Sequence, residues 1–177
     1  EKRIIFQDDQ DRNKFLALLD RYLNVNNTCV DANNVLYDKY YEHIQIHSYA
    51  LMDNHFHFLC KTLDSPNYIP SFMKSLCSSY TQYFNKKYDR VGHLYQGCYK
   101  TSAIYDEYHM LTVCKYINLN PVTNTQKEYS SINAYLGLKP KEDWLTLDEI
   151  QKLIPREKFK QFLESSEYTK SKTSKTG

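Results

Sequence analysis

Apolar and polar positions change their period along this chain, and each change predicts an element. Phe15, Leu18, Leu19 and Tyr22 recur at the i, i+3, i+4, i+7 spacing of one buried helical face. That predicts a helix from Asp8 to Tyr22, with Asp8 or Asp9 as its cap. The Asn- and Asp-rich stretch from Asn24 to Asn34 predicts a loop. From Tyr41 to Thr62 the period falls to two: Ile44, Ile46 and Ser48 alternate with Gln45, His47 and Tyr49. Asp53-Asn54 makes a short polar break before His55 to Lys61 resumes the extended pattern, so an antiparallel hairpin is predicted.

After Pro66 and Pro70, Ser71 to Tyr88 predicts a helix with Phe72, Leu76, Tyr80, Tyr83 and Phe84 on one face. Gly92 and Gly97 bracket a turn-rich stretch, and Cys98 to Tyr105 is compatible with a further strand. Asp106 is a good cap for a helix through Leu111, Cys114, Tyr116 and Ile117 that must stop near Pro121. A loop with Ser130-Ser131 follows, then a helical segment from Thr146 to Glu164, opened by a capping-box-like Thr146-Leu147-Asp148-Glu149. The Ser/Thr/Lys-rich end, Ser165 to Gly177, is expected to be disordered. Helix, hairpin, helix, strand, helix is an α+β order, and its simplest form is a ferredoxin-like two-layer sandwich, an antiparallel sheet with helices on one face.

Composition narrows the class. At 177 residues the chain is one domain, and 41% hydrophobic with 25% charged residues describes a globular protein. No run of 18 apolar residues exists, so no membrane association is expected, and the first residues do not form a signal peptide. Five cysteines without a C-x-x-C pair suit reduced thiols in a cytoplasmic setting, most of them as small core residues. The net charge of +2 is uninformative. Lys86, Lys87, Arg90, Lys100 and Lys115 are candidate contacts to a phosphate backbone, although solvated helix faces look the same. Seventeen tyrosines suit stacking on unpaired bases, and equally a polar-rimmed core.

His55 and His57 are separated by one residue, so on a strand both imidazoles leave one face while Phe56 and Phe58 leave the other. Such a pair suits a shared divalent cation or simply a polar sheet face. Tyr116 and Asn120 are four apart, on one side of the last predicted helix. The amide oxygen of an asparagine is acceptable to Mg²⁺ or Mn²⁺, and a phenol can attack a phosphodiester. Spacing alone does not single out Tyr116 among so many tyrosines, and Pro121 disfavours helical geometry at Asn120.

Leu51-Met52-Asp53-Asn54-His55-Phe56-His57-Phe58-Leu59 resembles the histidine motif of the single-tyrosine HUH transposases, and Tyr116-Ile117-Asn118-Leu119-Asn120-Pro121-Val122 resembles their tyrosine motif as found in the REP-associated branch. The likeness extends through Phe6 to Phe15, Tyr80 to Asn85, Gly92 to Gly97 and Tyr129 to Gly137, covering roughly the first 140 residues in order. It implies the HUH fold over residues 1–140, followed by a helical extension over 141–164 and the tail over 165–177. It also implies His55 and His57 as metal ligands and Asn120 as the third. Tyr116 is then the nucleophile that forms a 5′-phosphotyrosine on single-stranded or hairpin DNA, with Mg²⁺ or Mn²⁺ as cofactor and a monomer favoured over a dimer.

Three departures stand out. Asp53 replaces the usual proline and adds an acidic group near the metal. Cys98 stands where arginine is common. Only Glu1 to Ile5 precede Phe6, where the family carries an opening strand, so either that strand is removed or unrecorded here or a sheet edge is expected to be exposed. A domesticated hairpin-binding protein without turnover and a metal hydrolase using water are the alternative readings.

Overall fold

The structure is a computed structural model that describes residues 3–27, 36–121 and 123–168. Most of the predicted 24–34 loop and of the 165–177 tail lies outside the described residues. The chain runs α1 (Asp9–Leu23), β1 (Ile44–Met52), β2 (His55–Thr62), α2 (Tyr68–Lys87), α3 (Glu107–Leu119), α4 (Asn124–Glu128), α5 (Ile132–Tyr135), α6 (Asp148–Leu153) and α7 (Arg156–Glu164). This is an α+β fold built on an antiparallel pair of strands, as the period change predicts.

Asp8 caps α1, its side chain accepting from Asp11 N at 2.9 Å, and Phe15, Leu18, Leu19 and Tyr22 are buried. In α2 the buried face is Phe72, Met73, Leu76, Tyr80 and Phe84, with Tyr83 half-buried against it. The strands turn at Asp53-Asn54 in the register Met52↔His55, Ala50↔His57 and Tyr49↔Phe58. That register sends Phe56 and Phe58 toward α1, where their rings lie 4.9 and 6.3 Å from Phe15. The other face carries His57, which meets Tyr116 of α3, and Ser48, which meets Cys114 of α3. Helices therefore pack against both faces of the hairpin, where the sequence predicts them on one, because α3 covers the Ser48/His57 face as α1 covers the other. A bulge at His47 interrupts the ladder between Ile46 and Ser48. Its buried ring fills the space, with Nδ1 2.9 Å from Thr146 O.

The structure revises several local expectations. Cys98–Tyr105 is not a strand: every residue in it is exposed, so neither side of it has a surface to pack on. The 146–164 segment is two helices, broken at Pro155, which has no amide hydrogen to continue α6. The capping box predicted at Thr146 is absent, since Leu147 occupies the cap position of α6. A capping box forms instead at Thr123 and Gln126, opening α4 inside the expected loop.

The outer edge of β1 is not bare. Leu51 N donates to Tyr129 O at 3.0 Å, Ser131 N to Tyr49 O at 3.0 Å and Thr146 N to Ile46 O at 2.9 Å. Among the described residues no strand pairs with the outer edge of β2. Trp144, Leu147, Ile150, Phe159 and Phe162 join the same buried core as α1 and the hairpin.

Candidate active site

The last turn of α3 and the start of β2 bring together an imidazole pair and a phenol. The His55 and His57 ring centroids are 4.8 Å apart at 88°. The His57 and Tyr116 centroids are 5.5 Å apart at 76°. Tyr116 is 40% exposed, so its ring borders His57 while remaining open to solvent. Nδ1 of His55 lies 2.6 Å from Asn54 Oδ1. In the tautomer that donates this bond, Nε2 carries the lone pair, the usual arrangement for an imidazole ligand oriented by a second residue.

Asn120 follows α3 with φ −64° and ψ −37°, so Pro121 does not pull it out of helical geometry and it stays one turn beyond Tyr116 on the same side. Its Nδ2 is buried without a hydrogen-bond partner among the described residues. Exchanging the nitrogen and oxygen of that amide places a carbonyl oxygen in the same position, where a hard cation satisfies it. Among the described residues no three His, Cys, Asp or Glu side chains gather as a metal cluster.

Asn118 has no spacing signal of its own, yet it fixes the end of α3. It is fully buried, accepts from Ser131 Oγ at 2.9 Å, and donates to Cys114 O at 2.9 Å and Ser48 Oγ at 3.4 Å. These bonds pin the turn that carries Tyr116 to β1 and to the segment covering its edge. The only signal in the sequence was its place inside the tyrosine motif. Asp53, expected to add negative charge near the imidazoles, turns its carboxylate to Arg12 Nη2 at 2.6 Å.

The candidate DNA cations separate into two groups. Lys115 is buried, and its Nζ donates to Ser165 O at 2.5 Å and Glu167 O at 2.9 Å. Burial lowers its pKa. Lys87 lies between Asp8 and Asp11, 2.7 and 2.8 Å away. Burial opposes its charge, but the bonds from the two carboxylates outweigh that and raise its pKa. Neither ammonium is presented to a ligand. Lys86 and Lys100 are exposed, and the half-buried Arg90 guanidinium lies 5.6 Å from the centroid of the Phe84 ring.

Among the described residues no helix is long and apolar enough to cross a membrane. No curated protein and no solved structure matches the chain. The family described as IS200-like transposases matches residues 30–120, just over half of the chain, a span that takes in both imidazoles, the phenol and Asn120. The chain belongs to the IS200-like transposase family.

Proposed function

We propose that this transposase nicks and rejoins single-stranded or hairpin DNA through a covalent tyrosine intermediate, as a REP-associated type would. The observation that carries the reading is the 5.5 Å approach of the Tyr116 and His57 rings, made within one chain. The Tyr116 oxygen attacks the scissile phosphorus, and the P–O3′ bond breaks. The phenolic proton leaves to solvent, and the departing 3′ oxygen takes one up. The product is a free 3′-hydroxyl and a 5′-phosphotyrosine, and attack by a 3′-hydroxyl on that phosphotyrosine reverses the step without an external energy source. His55, His57 and Asn120 would hold Mg²⁺ or Mn²⁺, which supplies charge stabilisation at the phosphate. Lys86 and Lys100, both exposed, would contact the DNA backbone. Because the ring approach needs no second chain, the reading favours a monomer, acting in the cytoplasm.

The test is a labelled single-stranded hairpin incubated with the protein and Mn²⁺, then resolved under denaturing conditions. A covalent adduct that Tyr116→Phe abolishes is expected. Tight binding without an adduct indicates a hairpin-binding protein without turnover. Cleavage that survives Tyr116→Phe indicates a hydrolase that uses water.

A further inference from the structure

We infer that Asp53 is a positioning residue that sets the imidazole pair against the end of the tyrosine helix. The inference rests on the proposed reading of His55, His57 and Tyr116. Asp53 is the first residue of the two-residue turn between β1 and β2 and stands two positions before His55. Its backbone oxygen accepts from both Ile5 N, at 2.8 Å, and Phe6 N, at 3.0 Å. Its side-chain Oδ1 accepts from Arg12 Nη2 at 2.6 Å and from Gln126 Nε2 at 3.4 Å.

The partners explain why this matters. Arg12 is a rigid anchor: its side chain is only 7% exposed, and its guanidinium carbon lies 5.6 Å from the centroid of the Tyr129 ring. Gln126 belongs to the capping box of α4, the helix that begins four residues after Asn120. One carboxylate thus ties the turn leading into His55 to α1 on one side and to the chain leaving the tyrosine motif on the other. A proline at this position would fix the turn's φ but offer no carboxylate. The aspartate anchors the turn from outside through a planar, charge-assisted bond. Its charge is directed to Arg12 and Gln126.

The test compares wild type, Asp53→Asn and Asp53→Glu as full chains, at a temperature where melting curves show each to be folded. In metal-free protein, ¹⁵N histidine ring spectra are expected to show shifted or broadened His55 and His57 signals in Asp53→Asn, with His93 and His109 unmoved. The Mn²⁺ concentration for half-saturation should rise about tenfold, the size of effect typical for losing a residue that orients a metal ligand. Single-turnover adduct formation should fall by a similar factor, with hairpin affinity unchanged. Asp53→Glu, which keeps the charge, should recover much of the loss. Should Asp53→Asn not fold, Arg12→Lys takes its place: it keeps the charge but loses the guanidinium nitrogen that reaches Asp53, and the His55 and His57 signals should shift or broaden in the same way. Unmoved His55 and His57 signals, or a rate loss equal to the unfolded fraction, would overturn the inference. A wild type that forms no adduct defeats the strand-transfer reading instead, and the ring signals still decide the role of Asp53.

Discussion

On β2, Phe56 and Phe58 point one way and His55 and His57 the other, and the two faces of this one strand meet different surroundings. The phenylalanines meet Phe15, which also packs edge-on against Phe6 and Tyr80 with centroids 5.2 and 5.1 Å away. That face is closed by apolar area, worth roughly 2 kcal/mol for each ring buried. On the histidine face α3 covers Leu59 and the half-buried His57, with Cys114 and Ile117 buried beneath it, while His55 and Tyr116 remain exposed. The strand's alternation thus sets the two phenylalanines apart from the residues proposed for the chemistry, within one pleat of each other. Substitutions on the two faces should fail in different ways.

The largest effect should come from His57→Ala, which is expected to bring adduct formation below detection while leaving stability within about 1 kcal/mol of wild type, because the ring is only half-buried. Mixing His57→Ala with Tyr116→Phe sharpens the point. A site completed within one chain gives no adduct from the mixture, whereas exchange of α3 between two chains would restore it. Phe15→Ala should do the reverse, costing about 4 kcal/mol of stability in denaturant unfolding. Adduct formation per folded molecule should be nearly normal in the cold; if it drops with the ring, the two faces are not separable.

A smaller effect tests Lys87, whose ammonium Asp8 and Asp11 hold. Lys87→Met leaves the fully buried Asp11 carboxylate without its ammonium, although Tyr83, Tyr88 and the Gln7 amide still donate to it. A loss of about 2 kcal/mol is expected, less than for a bare buried charge. Hairpin affinity should be unchanged; a clear weakening would return Lys87 to the DNA surface.

The smallest effect is acid-linked. The Lys87 hydrogen bond lowers the pKa of Asp8 below its ordinary 3.8, and Lys61 lowers that of Glu149 below 4.5. Groups depressed in this way add stability that is present above those ordinary values and is lost as pH falls through the lower folded ones. Both side chains are partly exposed, so each contributes at most roughly 1 kcal/mol. Unfolding midpoints should fall between pH 5 and 3 by less in an Asp8→Asn, Glu149→Gln double variant than in wild type.

What was legible in the sequence is what local spacing decides. The buried faces of α1 and α2, the hairpin turn at Asp53-Asn54 and the Asp106 cap all depend on residues a few positions apart. The juxtaposition of His57 with Tyr116 came from likeness to a family, not from period, since it spans about sixty residues of chain. The remainder was hidden by distance. Lys87 looks like any helix-end lysine until Asp11 is folded beside it, and Lys115 until Ser165 reaches it. The absence of a strand over Cys98–Tyr105 is equally a matter of neighbours: its composition permits an extended ladder, and no packing surface comes to it.

The seam along β1 has a consequence for synthesis. Thr146 closes onto Ile46, so the hairpin waits for a segment a hundred positions downstream before its free side is filled. On the ribosome the nascent polypeptide must carry a half-finished ladder while the residues from Thr62 to Thr146 are made, and such distant pairing slows folding. A chain halted just after Gly137 would emerge with the imidazoles and the phenol all present, yet with part of that ladder open to any other nascent chain nearby.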